Sequence, residues 1–570
     1  VTRALRIVAF LLLGLGAFSP SATAQTSELR DSVQRFSTDR DVLVRRYATP
    51  WSAVHRDRMR EFLAEWQGRL QRIPYATLGV EGRLDWVLLS NAIRREQAAL
   101  DLEERRVREM ARAVPFLETI AGLMESRQAM ETVEPRRTAA ALAALSATID
   151  SLRHALTDPG AARDTARATR IVALRSVSTL ETLRRTLKSW YDYYAGYDPV
   201  FTWWNREPHQ RADSALAGYI RTLRTQVVGQ RPGEDEPIIG DPIGGDALRK
   251  ELVFEMIPYT PEELVAIAER EFAWSEAEML KASRELGFGD DWKAALEMVK
   301  NTFVEPGRQT DLVRDLAHEA VEFVESRDLV TVPPLAREIW RMEMLSPEQQ
   351  KVSPFFLGGE VIRVSYPTDA MGEEDKLMSM RGNNPHFSRA TVHHELIPGH
   401  HLQGFMNARY QTHRREFRTP FWTEGWALYW EMLLWDRGFP RNAQDRVGML
   451  FWRMHRSARI IFSLRFHLGT MTPQESIDFL VDRVGHERAN ATAEVRRSFN
   501  GSYPPLYQIA YMIGGLQFRA LHAELVGPGR MTDRAFHDAI LQGGTMPVEL
   551  VRARLLGTSI PQDFRASWRF

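Results

Sequence analysis

The stretch Thr391-Val392-His393-His394-Glu395-Leu396-Ile397-Pro398-Gly399-His400-His401-Leu402-Gln403-Gly404 sets four of the chain's 15 histidines around one carboxylate and a Pro-Gly break. Neutral imidazole is the commonest metal ligand among side chains. A carboxylate beside such a ligand is placed to take a proton from water. The spacing decides how the backbone must run. Residues four apart share a helix face, so a His pair at that distance can reach one ion. Position 398 is Pro, which leaves His394 without that partner. His400 and His401 would lie ~9 and ~10.5 Å further along a regular helix. Two ligands on one zinc must sit only ~3.4 Å apart.

Pro398-Gly399 offers the way out. Proline removes a backbone donor and clashes with the carbonyl four residues back. Glycine tolerates strained backbone angles. A bulge there would return His400 to the side of His394. The preferred ligands are therefore His394 and His400, with His401 as the rival to His400 and Glu395 as general base. A third ligand leaves one position open for catalysis. Thr423-Glu424-Gly425-Trp426-Ala427-Leu428-Tyr429-Trp430-Glu431 supplies two candidates seven residues apart on one helix face. Glu424 is preferred, and Glu431 or His393 then orients a ligand from behind.

These two motifs resemble the bacterial family known as domain of unknown function 885. That family is grouped with the gluzincin zinc metallopeptidases, whose ligands are two His and a Glu. A more distant similarity is to peptidases of the angiotensin-converting-enzyme type. There the ligand Glu follows the second His by the 24 residues that separate Glu424 from His400. The resemblance runs from about residue 30 to the C-terminus. It implies one zinc per chain on His394, His400 and Glu424, hydrolysis of short peptides, and a mainly α fold. In that fold two helical lobes flank a deep cleft, with a small β-sheet beside the zinc helix. It also matches Gln508 and Tyr511 to a C-terminal Pro-x-x-Gln-x-x-Tyr-x-x-Gly pattern, with Tyr511 as oxyanion donor. The same apparatus would serve a zinc hydrolase of non-peptide amides or esters. A non-catalytic binding protein is a further alternative, against which the intact Glu395 speaks.

Composition sets the surroundings. The chain is 44% hydrophobic and 26% charged, with net charge +0, which favours neither nucleic acid nor an anionic surface. Residues 1–24 read as a secretory leader. Arg3 and Arg6 precede an apolar run, Ile7 to Phe18, and Ala22-Thr23-Ala24 gives a small-x-small cleavage site. The run of ~12 residues is too short for a confident membrane span. An exported protein, periplasmic or extracellular and without stable membrane insertion after cleavage, is expected. The sequence has no Cys, which rules out disulfides, thiolate ligands and lipid attachment to a Cys.

In chain order, residues 25–240 read as an N-terminal helical lobe and 241–570 as the catalytic lobe. Asp158-Pro159-Gly160 breaks the first, and the Gly- and Pro-rich stretch 229–245 separates the two. The aromatics between Trp190 and Trp204 read as a packed corner between lobes rather than a substrate wall. Thr260, Pro261 and Glu263 form a capping box. Val361 to Tyr366 is the clearest strand; the resemblance implies that it holds substrate by strand addition, with a small structural sheet as the alternative. Asn383 or Asn384 caps the zinc helix or touches substrate. Arg496 or Arg497 could grip a substrate carboxylate.

Overall fold

Apolar residues recur at helical spacing through most of the chain, and the fold follows them. Helix makes up 71% of the computed structural model and strand 2%, so the class is mainly α. The structure describes residues 27–157, 169–231, 233–234, 236–350, 355–500 and 503–570. The leader stretch and the Asp158-Pro159-Gly160 break lie outside these residues, as do Pro232 and Asp235.

Among the described residues seven α-helices precede residue 240, from Arg30–Arg46 to Pro199–Leu223. They do not share one core. The helices between Leu117 and Leu223 enclose their own, built from Leu142, Leu180, Leu187, Trp190, Phe201 and Tyr219. The first three helices instead bury Phe36, Leu63, Leu84 and Ile93 with Trp422, Trp426, Trp430 and Phe518 of the second half. A buried ion network fastens this junction. Asp85 accepts from Arg414 Nε at 2.7 Å and pairs with His413 Nε2 at 2.6 Å, while Arg414 Nη2 reaches Glu81 at 2.6 Å. Packed cores thus cross residue 240, where the sequence suggests a lobe boundary.

The aromatic stretch divides by exposure. Trp190, Tyr194 and Phe201 are core, whereas Tyr197 and Trp203 are 70% and 83% exposed. None of its rings lines the cavity described below.

The capping box at Thr260 forms with both of its hydrogen bonds and Pro261 in the first turn. The helical run that follows is interrupted twice, giving helices Pro261–Glu285, Trp292–Lys300 and Gln309–Ser326. Strand β1, Arg341–Met344, pairs in parallel with β2, Val361–Val364. Ile362 and Val364 of β2 pack on Val392 and Leu396, which sets this small sheet beside the helix of the histidine motif. The Glu424 helix, Pro420–Asp436, is apolar nearly all round and correspondingly buried, with Trp422, Trp426 and Trp430 wholly inside. It crosses helix Tyr507–Leu525 at a glycine pair. A Cβ on Gly514 would lie 2.1 Å from the Phe421 carbonyl oxygen, and one on Gly425 2.6 Å from Gly514 Cα. Only hydrogen at both positions lets the two backbones touch, and that contact carries Tyr507 to Glu424.

Several buried histidines tie stability to pH. Burial pushes His486 and His537 down to about 3 and His467 to about 4. These rings stay neutral in the fold, while an unfolded histidine charges near pH ~6.5. Between these values the unfolded chain binds more protons, so stability rises with pH. Acidification from pH 7 to 5 is expected to lower the urea midpoint, because the unfolding free energy falls by roughly 1 kcal/mol per pH unit below ~6.5 for each such ring. An unchanged midpoint would show that these rings are not neutral in the fold.

Candidate metal centre

The motif helix, Pro385–Glu395, begins where its sequence says it should. Asn384 Oδ1 accepts from the amides of His386 and Phe387, each at 3.0 Å, and Pro385 takes the first position. Leu396 N still donates to Val392 O at 2.9 Å, and there the regular ladder ends. Gly399 N reaches back six residues to His393 O at 3.0 Å, and His401 N five to Leu396 O at 3.0 Å. Helix resumes at His400 and runs to Asn407. A Cβ on Gly399 would stand 1.8 Å from the His394 carbonyl oxygen, so the turn closes only with glycine.

This wide turn brings the rings of His394 and His400 to 4.8 Å between centroids at 87°. Glu424 Oε2 lies 3.1 Å from His400 Nε2 and 3.7 Å from His394 Nε2. One ligand atom from each of the three residues falls within 4.8 Å of the others. Ligands at ~2.0–2.2 Å around one tetrahedral ion sit ~3.4 Å apart, so these donors fit a metal such as zinc. His394 donates from Nδ1 to Glu431 Oε1 at 2.7 Å, which leaves the lone pair of Nε2 facing Glu424. The other oxygen of Glu424 accepts from the Tyr507 hydroxyl.

The electrostatics favour positive charge at this place, carried by a proton or by a metal ion. Burial works against charge on His394, but its bonds to Glu424 and Glu431 and the nearby charge of Glu395 raise it to about 9. Burial would likewise raise Glu424, yet His400 and His394 hold it well below the usual carboxylate range. Glu395 has no such close partner, and burial leaves its carboxyl raised. These groups line a cavity of about 540 Å³, with Phe356, Gly358, Trp452, Arg456, Tyr507 and Tyr511 among its walls.

A helical chain of this length with this motif matches one family across residues 39–555, described as a bacterial protein of unknown function, DUF885. The chain belongs to the DUF885 family. No curated protein matches it. Among solved structures, a "putative lipoprotein of unknown function" from Shewanella oneidensis superposes with a TM-score of 0.68 at 18% identity, covering 93% of this chain and 100% of that one. A second, titled "putative lipoprotein" from Colwellia psychrerythraea, gives 0.60 at 13%, covering 93% and 97%. At such identities the likeness is one of fold.

Within this DUF885 chain the remaining candidates separate. His401 points away from the cluster and places Nε2 2.7 Å from the Ala336 carbonyl, so the rival ligand is displaced by a backbone contact. His393 is buried edge-on to Phe439, and burial pushes it down to about 3. Glu431, not His393, is the group behind His394. Asn384 is the cap, and Asn383 closes the preceding helix by donating to Ser379 O at 2.9 Å. Neither asparagine lines the cavity. Arg496 lies off the cavity too, donating to the Glu236 carbonyl. Gln508 donates to Glu494 Oε1 at 2.7 Å and does not line the cavity.

Tyr511 does line the cavity, its ring 6.3 Å from that of His394, and so does Arg497. Strand β2 does not. The wall is formed by Phe355 to Gly358 just before it, and Gly359 N donates to Glu395 O at 3.2 Å. Tyr507, Arg456 and Arg459 were not singled out from the sequence. Tyr507 precedes Tyr511 by four residues, hence on the same helix face. Arg456 and Arg459 stand within an apolar helical run, Ala443–His467, where a charge needs a reason.

Proposed function

We propose that this chain is a zinc-dependent metallopeptidase of gluzincin type that hydrolyses short peptides, with two helical bodies flanking the site as a deep cleft. The carrying observation is the convergence of His394, His400 and Glu424 beside Glu395 on one cavity wall. Two imidazoles and one carboxylate are a ligand set suited to zinc with one position left open. When bound, zinc supplies Lewis acidity toward a carbonyl oxygen and lowers the pKa of water to ~7.

The chain's own residues do the rest. Glu431 fixes the His394 ring through Nδ1. Glu395 accepts the proton of the attacking water and hands it to the amine nitrogen as the C–N bond breaks. Burial and the charge of Glu424 raise both Tyr507 and Tyr511, so each phenol keeps its proton. Tyr507 holds Glu424 in place, and Tyr511 is the hydrogen-bond donor to the oxygen that gains charge. A cavity of about 540 Å³ accepts a few residues, not a folded protein. Export is supported by the leader-like residues and by neighbours titled as lipoproteins. No helix among the described residues is long and apolar enough to cross a membrane.

The test is a defined mixture of short peptides, some blocked at either end, incubated with zinc-loaded protein and read by mass spectrometry. Cleavage that a chelator abolishes and added zinc restores is expected. Intact peptides after incubation with the loaded protein would overturn the reading and leave a non-peptide amide or ester, or a binding role.

A further inference from the structure

Arg456 is a buried cation whose N–H donors are not all met. It is only 5% exposed, yet its Nε has no hydrogen-bond partner among the described residues. Its nearest carboxylate, Glu431, stands 3.6 Å from Nη2, and the oxygen concerned already accepts from His394 Nδ1. A guanidinium carries five N–H donors, and leaving them unmet away from water is costly. The group is nonetheless held firmly. Its central carbon lies 4.5 Å from the centroid of the Tyr511 ring and 5.4 Å from that of Trp452. Both rings line the cavity beside it.

Two more arginines stand close by, Arg459 buried and Arg497 partly so. Arg459 lies 4.6 Å from the same Tyr511 ring, and Arg497 also lines the cavity. They share a single carboxylate, Glu494, which takes Nε of Arg459 at 2.8 Å and Nη2 of Arg497. Burial would raise Glu494, but these two cations hold it at about 2. Even so, Nη1 of Arg459 and Nε of Arg497 are left without partners. With Glu431 and Glu494 both engaged, this wall keeps an excess of positive charge and of unmet N–H groups.

We infer that Arg456, flanked by Arg459 and Arg497, anchors a carboxylate of the substrate. The inference rests on the peptidase reading and deepens it. A planar guanidinium binds a carboxylate through two parallel bonds, which would engage these unmet donors. On a peptide, the terminal carboxylate always lies on the amine side of the bond being cut. The Tyr511 ring is 6.3 Å from His394 and 4.5 Å from Arg456, a reach of one to three extended residues at ~3.5 Å each. The enzyme therefore removes short pieces from a free C-terminus. An Asp or Glu side chain offers the same group, and the test separates the two sources.

Binding is measured by calorimetry on zinc-loaded Glu395→Gln protein, which holds peptide without turning it over. The probes are penta-alanine as free acid, its C-terminal amide, and the amide with Asp in the last position. The free acid is expected to bind about 100-fold more tightly than the plain amide, as for other buried charge pairs. Tight binding of the Asp amide as well would assign the recognition to any carboxylate at that place. Adding Arg456→Gln should bring the acid-to-amide ratio close to one, and Arg456→Lys should restore part of it. Should Arg456→Gln fail to fold, Arg497→Gln and the ratio in the parent protein still decide. Equal affinity for acid and amide overturns the anchor. Wild-type cleavage of both forms would then keep the peptidase reading, whereas cleavage of neither removes that reading and the anchor with it.

Discussion

Glu395→Gln is expected to lower kcat on the best peptide by ~10³-fold while the protein keeps its full metal content. The substitution changes one oxygen to an NH2 group and leaves volume and packing almost as they were. What it removes is a carboxylate that can accept a proton. Such proton transfer is worth ~10²–10⁴ in rate, or about 3–5 kcal/mol at 1.36 kcal/mol per tenfold. Three features place Glu395 in this role. It follows a candidate ligand directly, it lines the cavity, and its side chain has no hydrogen-bond partner among the described residues. Glu424 and Glu431 are taken by His400, Tyr507 and His394. Peptide turnover and metal analysis on the same preparation check it. An active Glu395→Gln protein would remove Glu395 as the base. A protein that is inactive but has lost its metal would instead make Glu395 part of the cage.

Local chemistry explains what could be read in advance. The break at Pro398-Gly399 is legible because proline cannot donate and glycine admits the close approach to the His394 carbonyl. The caps at Asn384 and Thr260 are equally local, each a side chain bonding its own next turn. The pairing of Glu424 and Glu431 on one face follows from helical period alone. Long-range relations were not legible. Nothing near Arg341 announces that it pairs in parallel with Val361, and nothing near Asp85 announces Arg414. Arginines inside the Ala443–His467 helix look like interruptions in a pattern until Glu494 and the cavity are seen beside them. The aromatic run at 190–204 shows the same limit. Composition tells that such rings bury area, but not that the run lies half inside a core and half on the surface.

Single substitutions across the histidine motif are expected to rank metal affinity in an order that only the wide turn explains. Changing His394, His400 or Glu424 to Ala removes one of three protein donors. Structural zinc sites hold ~10–16 kcal/mol in total, so a lost donor takes several kcal/mol, a fall of ~10³-fold or more. Glu431→Gln leaves every donor in place but weakens the orientation of His394, for a fall of ~10–100-fold. His401→Ala should change affinity least, because its ring faces the Ala336 carbonyl and not the cluster. It should show instead as a loss of stability of about 1 kcal/mol from the missing buried bond. Competition with a chelator of known zinc affinity measures the first quantity, and urea unfolding of the metal-free proteins the second. The comparison of His400 with His401 is the sharpest, since adjacent residues of one type share every compositional property and differ only in direction. Metal lost by His401→Ala and retained by His400→Ala would mean that the chain turns the other way at Gly399. The assignment of donors, and the cavity geometry built on it, would then fall together.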